Sequence, residues 1–337
     1  MTNNPYDVLR ELIAIGSPAG YTDAASDQVA RWLAAYGYAP QRTTKGAVRC
    51  ALGPAPRLAI AAHVDTLGAV VSNFNADGTL AISPVGGLQL NYVEGEYVQI
   101  VTLDERRYTG TYLLDNPSVH ANNTTNETRR TANAMHVRLD ESVTSPVETQ
   151  LLGIDRGDVV LFDPRYQELP SGYIKSRFLD DKAGCYVLLE IARRLAGEGR
   201  RPPVELVFTV HEEVGHGGAC GFADTIRELL VVDMGVVGNG CGGDERACSI
   251  CAKDSSGPYH RGFRQRLVAL ARAGDIAHRQ DVYPFYASDG SVALRAGHDL
   301  EVALIGPGVA ASHGVERTHR RGVEATIALA LAYIGTL

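Results

Sequence analysis

Two adjacent glutamates stand at the end of a strongly apolar run, Val207-Phe208-Thr209-Val210-His211-Glu212-Glu213. Neighbouring carboxylates at the mouth of a buried strand repel each other and resist desolvation, so a chain that keeps both there has reason to neutralise them with metal. One of the pair can coordinate an ion while its neighbour, held just outside the coordination sphere, takes a proton from an attacking water. Other groups of ligating type lie upstream, in His63-Val64-Asp65 and Asp180-Asp181-Lys182, and downstream, at Asp233 and His313. The chemistry these residue types suggest is metal-assisted hydrolysis.

Taken singly, each group has an ordinary explanation. His63 and Asp65 are two apart, so on a continuing strand they project to one side, and one can bind while the other orients it. A hydrogen-bonded pair at a strand end would look the same. Asp180 and Asp181 suit the N-terminus of a helix, where acidic caps are favoured. Asp233 ends the run Leu229-Leu230-Val231-Val232 and could be a turn aspartate. What is not ordinary is that five such groups recur at the ends of apolar runs.

The elements that must carry these groups are read from periodicity. Helical spacing of apolar residues predicts helices over 6–15 and, after Ser17-Pro18-Ala19-Gly20, over 23–36. A continuous apolar run over 57–62 predicts a strand covered on both faces, leading straight into His63. Between 70 and 164 the texture changes to short alternating runs (96–101, 108–113, 135–139, 158–162) separated by Gly, Asn and Asp turns, the pattern of a β-rich insert. Within it, 120–132 is polar and reads as an exposed loop. Beyond 171 strands and helices alternate: helix 181–195, strand 204–210, helix 218–229, strand 230–237, strand 248–253, helices 263–273 and 290–296, strand 300–305, and helix 323–334 after a Gly-Pro-Gly turn and His313. This predicts an α/β fold with a mixed, mostly parallel sheet flanked by helices. Sites in such folds collect at the C-terminal ends of the strands.

A chain of 337 residues can bury a large α/β core and a second module. Its net charge of −7 is mild and both signs are interspersed, which argues against nucleic acid or a membrane as partner. No apolar run approaches the ~18 residues of a membrane span, and Met1-Thr2-Asn3-Asn4-Pro5 does not open a signal peptide. Six cysteines without a regular framework fit reduced thiols, so a cytoplasmic location is expected.

The segments His63-Val-Asp65-Thr-Leu-Gly68, Leu179-Asp180-Asp181-Lys182-Ala183-Gly184, Glu212-Glu213-Val214-Gly215, Val232-Asp233-Met234-Gly235, Ser288-Asp289-Gly290 and Ser312-His313-Gly314 resemble, in order and spacing, the glutamyl (tetrahedral, TET-type) aminopeptidases, a family of dinuclear metallopeptidases. The resemblance spans essentially the whole chain. It implies that His63, Asp180 and Asp233 hold one divalent ion and Asp180, Glu213 and His313 the other, with Asp180 bridging. Zinc is the first expectation for both, cobalt or manganese the alternatives. Glu212 would be the general base and acid, and Asp65 the partner that orients His63. Two ions about 3.5–4 Å apart can polarise a scissile carbonyl and anchor a free α-amino group. His319 competes with His313 for the last position; spacing to the C-terminal helix favours His313.

The resemblance further implies a catalytic domain over 1–69 and 165–337 and a small β-barrel-like lid over 70–164, which in relatives mediates assembly from dimers to hollow dodecamers. The expected substrate is a short peptide or peptide-like amide. Lys253-Asp-Ser-Ser-Gly-Pro-Tyr259 and Ser312-His-Gly-Val-Glu-Arg-Thr-His319 also resemble a bacterial branch linked to the osmoprotectant N-acetylglutaminylglutamine amide. Rival activities are a dinuclear deacylase or carboxypeptidase, and a non-catalytic scaffold. A glycosidase fits poorly, because its two carboxylates must flank the bond about 5–9.5 Å apart. Cys248 and Cys251 are three apart on a predicted strand, so their sulfurs should face opposite sides and not share a metal. Arg177, Lys182 and Lys253 lie near the motifs and could read an acidic group or pair with the acidic cluster.

Overall fold

In a computed structural model that describes residues 4–337, the apolar runs become a parallel sheet core. The start of the N-terminal segment, residues 1–3, lies outside that range. Val204–Thr209, Leu58–His63, Glu228–Val232 and Glu301–Ala310 lie side by side and parallel, with Thr209 opposite His63, Val231 opposite Ala61 and Val232 opposite Ile305. Their C-terminal ends therefore fall on one rim. The short strands Gln41–Arg42 and Val48–Ala51 extend the sheet on one side; Glu316–His319, Tyr173–Ser176 and Gln167–Glu168 extend it on the other.

Side chains alternate between two faces along each strand, as period-2 geometry requires. Ile60, Ala62, Leu206, Phe208, Leu230 and Val232 enter one apolar layer, packed against helices α1 (Asp7–Ala14), α2 (Asp23–Ala35), α4 (Leu179–Gly197), α5 (Arg261–Ala273) and α7 (Arg320–Ile334). Ala59, Ala61, Val207, Leu229 and Val231 enter the other, under α6 (Asp289–Arg295). Cys248 lies in the first layer and Cys251 in the second, so the two sulfurs are on opposite faces as their spacing predicted.

Strands Gly68–Phe74, Leu80–Val85, Met135–Leu139, Arg107–Leu114, Tyr97–Val101 and Val159–Phe162 pair in that order and close on themselves as an antiparallel barrel. Closure removes the free sheet edges. The barrel has its own core of Leu80, Ile100, Tyr112, Val137 and Val160, with Tyr112 edge-on to Phe162 at 5.9 Å. Helix α3 (Pro146–Leu151), capped by Ser145, lies between its strands in sequence. Residues 120–132, the expected polar loop, are mostly exposed.

Two expected elements differ. The stretch 218–229 is not a helix: one 3-10 turn, Gly217–Ala219, is followed by a loop up to the strand Glu228–Val232. Side-chain acceptors take the amides a helix would use, Asp289 from Gly218 at 2.6 Å and Glu205 from Ala223 at 3.3 Å. Gly306-Pro307-Gly308 is not a turn but the middle of the strand Glu301–Ala310, and Pro307 sits opposite Cys248. A Cβ on Gly306 would lie 1.6 Å from the Asp233 carbonyl oxygen, so glycine there lets the two chains approach. No helix among the described residues is long and apolar enough to cross a membrane.

Candidate metal centre

The parallel rim gathers the predicted groups. His63 ends its strand; Glu212 and Glu213 follow Val204–Thr209 by three and four residues; Asp233 follows Val232 directly; and His313 lies three beyond Ala310. Asp180 comes from the mouth of α4, where Asp180 and Asp181 have non-helical backbone angles and are joined by a cis peptide bond. Ligand atoms of His63, Asp180 and Asp233 lie within 4.8 Å of one another, and so do those of Asp180, Glu213 and His313. Asp180 is common to both groups. His319 is elsewhere: its Nδ1 accepts from the Arg321 amide at 3.0 Å to cap α7, and its Nε2 lies 3.1 Å from the Ser171 carbonyl.

Each imidazole is oriented by a backbone carbonyl. His63 Nδ1 lies 2.9 Å from the Asp65 carbonyl oxygen, and His313 Nδ1 lies 3.1 Å from that of Gly87. Donation from Nδ1 leaves each Nε2 lone pair for a ligand. Asp65 was expected to orient His63 through its carboxylate, which is 3.7 Å away. The strand ends at His63, and the carboxylate turns instead to the glutamates, accepting from the amides of Glu212 at 3.1 Å and Glu213 at 3.2 Å. Glu316, a buried residue the sequence did not single out, does the same for two other candidate ligands. It accepts from the Asp180 amide at 3.0 Å and the His313 amide at 3.0 Å. The signal for it was an acidic residue three beyond a candidate ligand, the spacing of a local side-chain clamp.

The two aspartates at the start of α4 divide the readings proposed for them. Asp181 serves the helix: Oδ1 accepts from the Gly184 amide at 3.1 Å, while Oδ2 lies 3.3 Å from the His63 amide that donates to it. A Cβ on residue 184 would approach those oxygens to 2.4 Å, which explains the glycine. Only Asp180 faces the ligand cluster. Four residues beside the ligands, Phe178, His211, Ala311 and His313, have positive φ between 59° and 70°. Non-glycine residues there cost about 1–3 kcal/mol each, strain that the packed rim sustains.

Burial and mutual repulsion shift the acids of the cluster. Burial and the Asp180 charge push the Asp233 carboxyl up to about 7. Burial, with Asp233, Asp289 and Glu213 nearby, holds Glu212 well above the usual carboxylate range, and burial with Asp180 does so for Glu213. Burial disfavours protonation of His63, yet its hydrogen bond with Asp180 and the charges of Glu212, Asp233 and Asp65 hold it well above an ordinary histidine. These acids crowd one another more than two imidazoles can relieve. Divalent cations would relieve it, and mixed imidazole and carboxylate donors suit zinc, cobalt or manganese. Glu212 Oε2 lies 3.8 Å from His63 Nε2, beside the first triad without belonging to either. Tyr286, also absent from the sequence reading, turns its hydroxyl toward Asp233.

The arrangement can therefore hold cations and keep one carboxylate free as a base. Comparisons with known proteins agree with that chemistry. The family model described as M42 glutamyl aminopeptidase matches residues 46–329. YhfE of Bacillus subtilis, which carries a provisional aminopeptidase name, is 41% identical over 337 residues, covering 97% of this chain and 96% of its own. Among solved structures, an aminopeptidase of the archaeon Desulfurococcus kamchatkensis superposes with a TM-score of 0.87 at 23% identity, over 99% of this chain and 95% of that one. The TET1 peptidase of Pyrococcus horikoshii, described as assembling into a tetrahedron or a large octahedral shell, gives 0.87 at 21%, over 98% and 99%. The chain is thus a hydrolase, a peptidase, and belongs to the M42 glutamyl aminopeptidase family.

Proposed function

We propose that this enzyme is a dinuclear metal-dependent aminopeptidase that removes the N-terminal residue from short peptides or peptide-like amides. The observation that carries the reading is the pair of ligand triads sharing Asp180, with Glu212 beside them and in neither. His63, Asp180 and Asp233 would hold one ion, and Asp180, Glu213 and His313 the other. Bound there, divalent ions would acidify a water, polarise the scissile carbonyl and anchor the free α-amine. Glu212 would accept the proton of the attacking water and return it to the departing amine. Asp65 fixes where the Glu212 backbone sits, accepting from its amide at 3.1 Å.

The same reading assigns catalysis to 1–69 and 165–337 and makes the barrel, 70–164, a lid and an assembly surface. Leu103 and Leu151, both largely exposed, support a homo-oligomer between dimer and dodecamer. Light scattering tests the assembly, with a persistent monomer as the contrary result. A cytoplasmic place of action fits the six free cysteines, of which Cys50, Cys185, Cys248 and Cys251 are buried. The narrower link to N-acetylglutaminylglutamine amide rests on the two sequence segments alone, and hydrolysis of that compound or its products would test it.

The decisive assay is hydrolysis of free-amine aminoacyl and dipeptide substrates, beside their N-acetylated forms, after reconstitution with zinc, cobalt or manganese. Turnover confined to the free amines is expected. Preference for the acetylated forms would replace the aminopeptidase reading with a deacylase.

A further inference from the structure

Amide hydrolysis moves the carbonyl π pair onto oxygen as water attacks the carbon, and an oxyanion of that kind is stabilised by a fixed hydrogen-bond donor. The side chains of the two triads and their neighbours are poor in donors. Asp65, Asp180, Glu212, Glu213 and Asp233 are acceptors when ionised. Both imidazoles use Nδ1 on backbone carbonyls and turn Nε2 to carboxylates, His63 to Asp180 at 3.1 Å and His313 to Asp180 and Glu213 at 3.8 Å. Arg177 keeps Nε and Nη1 unpartnered at the edge of the second triad, but its guanidinium is engaged at the barrel seam by Glu96 and the Tyr92 carbonyl.

Tyr286 is placed differently. It lies on the loop between the strand His278–Val282 and α6, pinned by its own carbonyl, which accepts from the Ser255 amide at 2.9 Å and the Ser255 hydroxyl at 2.7 Å. Its ring packs against Tyr283 with centroids 5.2 Å apart. The hydroxyl is buried and turned toward Asp233, with Asp180 and Glu212 nearby, and makes no close hydrogen bond. A buried hydroxyl without a close acceptor is unfavourable, so a donor held there in the resting enzyme has reason to gain its acceptor during the reaction.

We propose that Tyr286 is a further catalytic residue, whose hydroxyl donates a hydrogen bond to the carbonyl oxygen of the scissile amide as that oxygen becomes negative. The inference rests on the aminopeptidase reading. Water oxygen bonds to the carbonyl carbon while its proton passes to Glu212, and the C=O π pair moves to the oxygen facing Tyr286. When the pair returns, the C–N bond breaks and the amine leaves with the proton from Glu212. Tyr286 transfers no proton; its hydroxyl only donates the hydrogen bond.

The test is Tyr286→Phe, which removes one oxygen and keeps the ring packing. In metal-reconstituted full-length enzyme, kcat on a free-amine dipeptide should fall about 100-fold with KM little changed. Affinity for a phosphinic dipeptide analogue, measured by calorimetry, should fall comparably, while metal content and melting temperature stay at wild-type values. Wild-type kcat and analogue affinity in the variant would overturn the proposal, and so would a loss restored by excess metal, which would make Tyr286 a support for Asp233. A wild type that turns over no free-amine substrate would overturn the underlying aminopeptidase reading instead.

Discussion

Replacing Asp65 should separate what this carboxylate holds from what the metal holds. The side chain is fully buried and accepts from two backbone amides, those of Glu212 at 3.1 Å and Glu213 at 3.2 Å. Hydrogen bonds to a charged acceptor contribute about 1.5–3 kcal/mol each, and the lower figure suits amides of only partly buried residues. Asp65→Ala removes both and should destabilise the metal-free protein by about 3 kcal/mol. With an unfolding entropy near 2.1 cal/mol/K per residue over 337 residues, roughly 0.7 kcal/mol/K, that is about 4 °C in melting temperature. Asp65→Asn keeps one acceptor oxygen and presents its NH2 to the second amide, so it should fall between Ala and wild type. The assay is thermal unfolding in chelator, followed by metal content and kcat after reconstitution, where both variants should lose turnover because Glu212 and Glu213 shift together. An Asp65→Asn protein with wild-type stability, metal content and kcat would refute the reasoning.

Glu212→Gln should keep its metal and lose turnover by about 10²–10⁴-fold, read from elemental analysis beside kcat; equal loss of metal would make Glu212 a ligand. His313→Ala should lower bound metal per subunit while His319→Ala leaves it unchanged, since His319 caps α7; normal metal in His313→Ala would reverse the choice. For metal-free protein, Asp233 binds its proton up to about pH 7 when folded but only to the ordinary carboxylate range when unfolded. The folded state then holds more protons between pH 4 and 7, so stability present at pH 4 should be lost as pH rises to 7, a trend chelated samples would show by denaturation. Added metal should stabilise more at pH 8 than at pH 5, because its ligands must be deprotonated; a chelated protein that gains stability from pH 4 to 7 would contradict this.

The parallel strands were legible because burial on both faces leaves an unbroken apolar run, and each run ended at a group able to ligate. Leu58–His63 and Glu228–Val232 show this, with His63 and Asp233 at their ends. What failed to read were places where long-range partners override local preference. Residues 218–229 carry helix-compatible Ala and Leu, yet Asp289 and Glu205, distant in sequence, claim their amides. Gly306-Pro307-Gly308 has turn composition, but the approach of Asp233 requires glycine in a strand. Asp65 and Glu316 could be suspected as acidic residues near ligands, but which backbone amides they would clamp depends on loops meeting across the sheet. Tyr286 carried no signal, since a tyrosine in a Pro-containing loop looks like surface.

Because the strand order puts Val204–Thr209 beside Leu58–His63 and brings Glu301–Ala310 to the far side of Glu228–Val232, the site is assembled from segments 250 residues apart. During synthesis the residues around 63 emerge long before the loop that carries His313, so a partly made chain holds at most one of the two triads. Such non-local closure is slow to fold. It also makes competence a late event: an interrupted or truncated chain that lacks the loop carrying His313 holds only one of the two candidate triads.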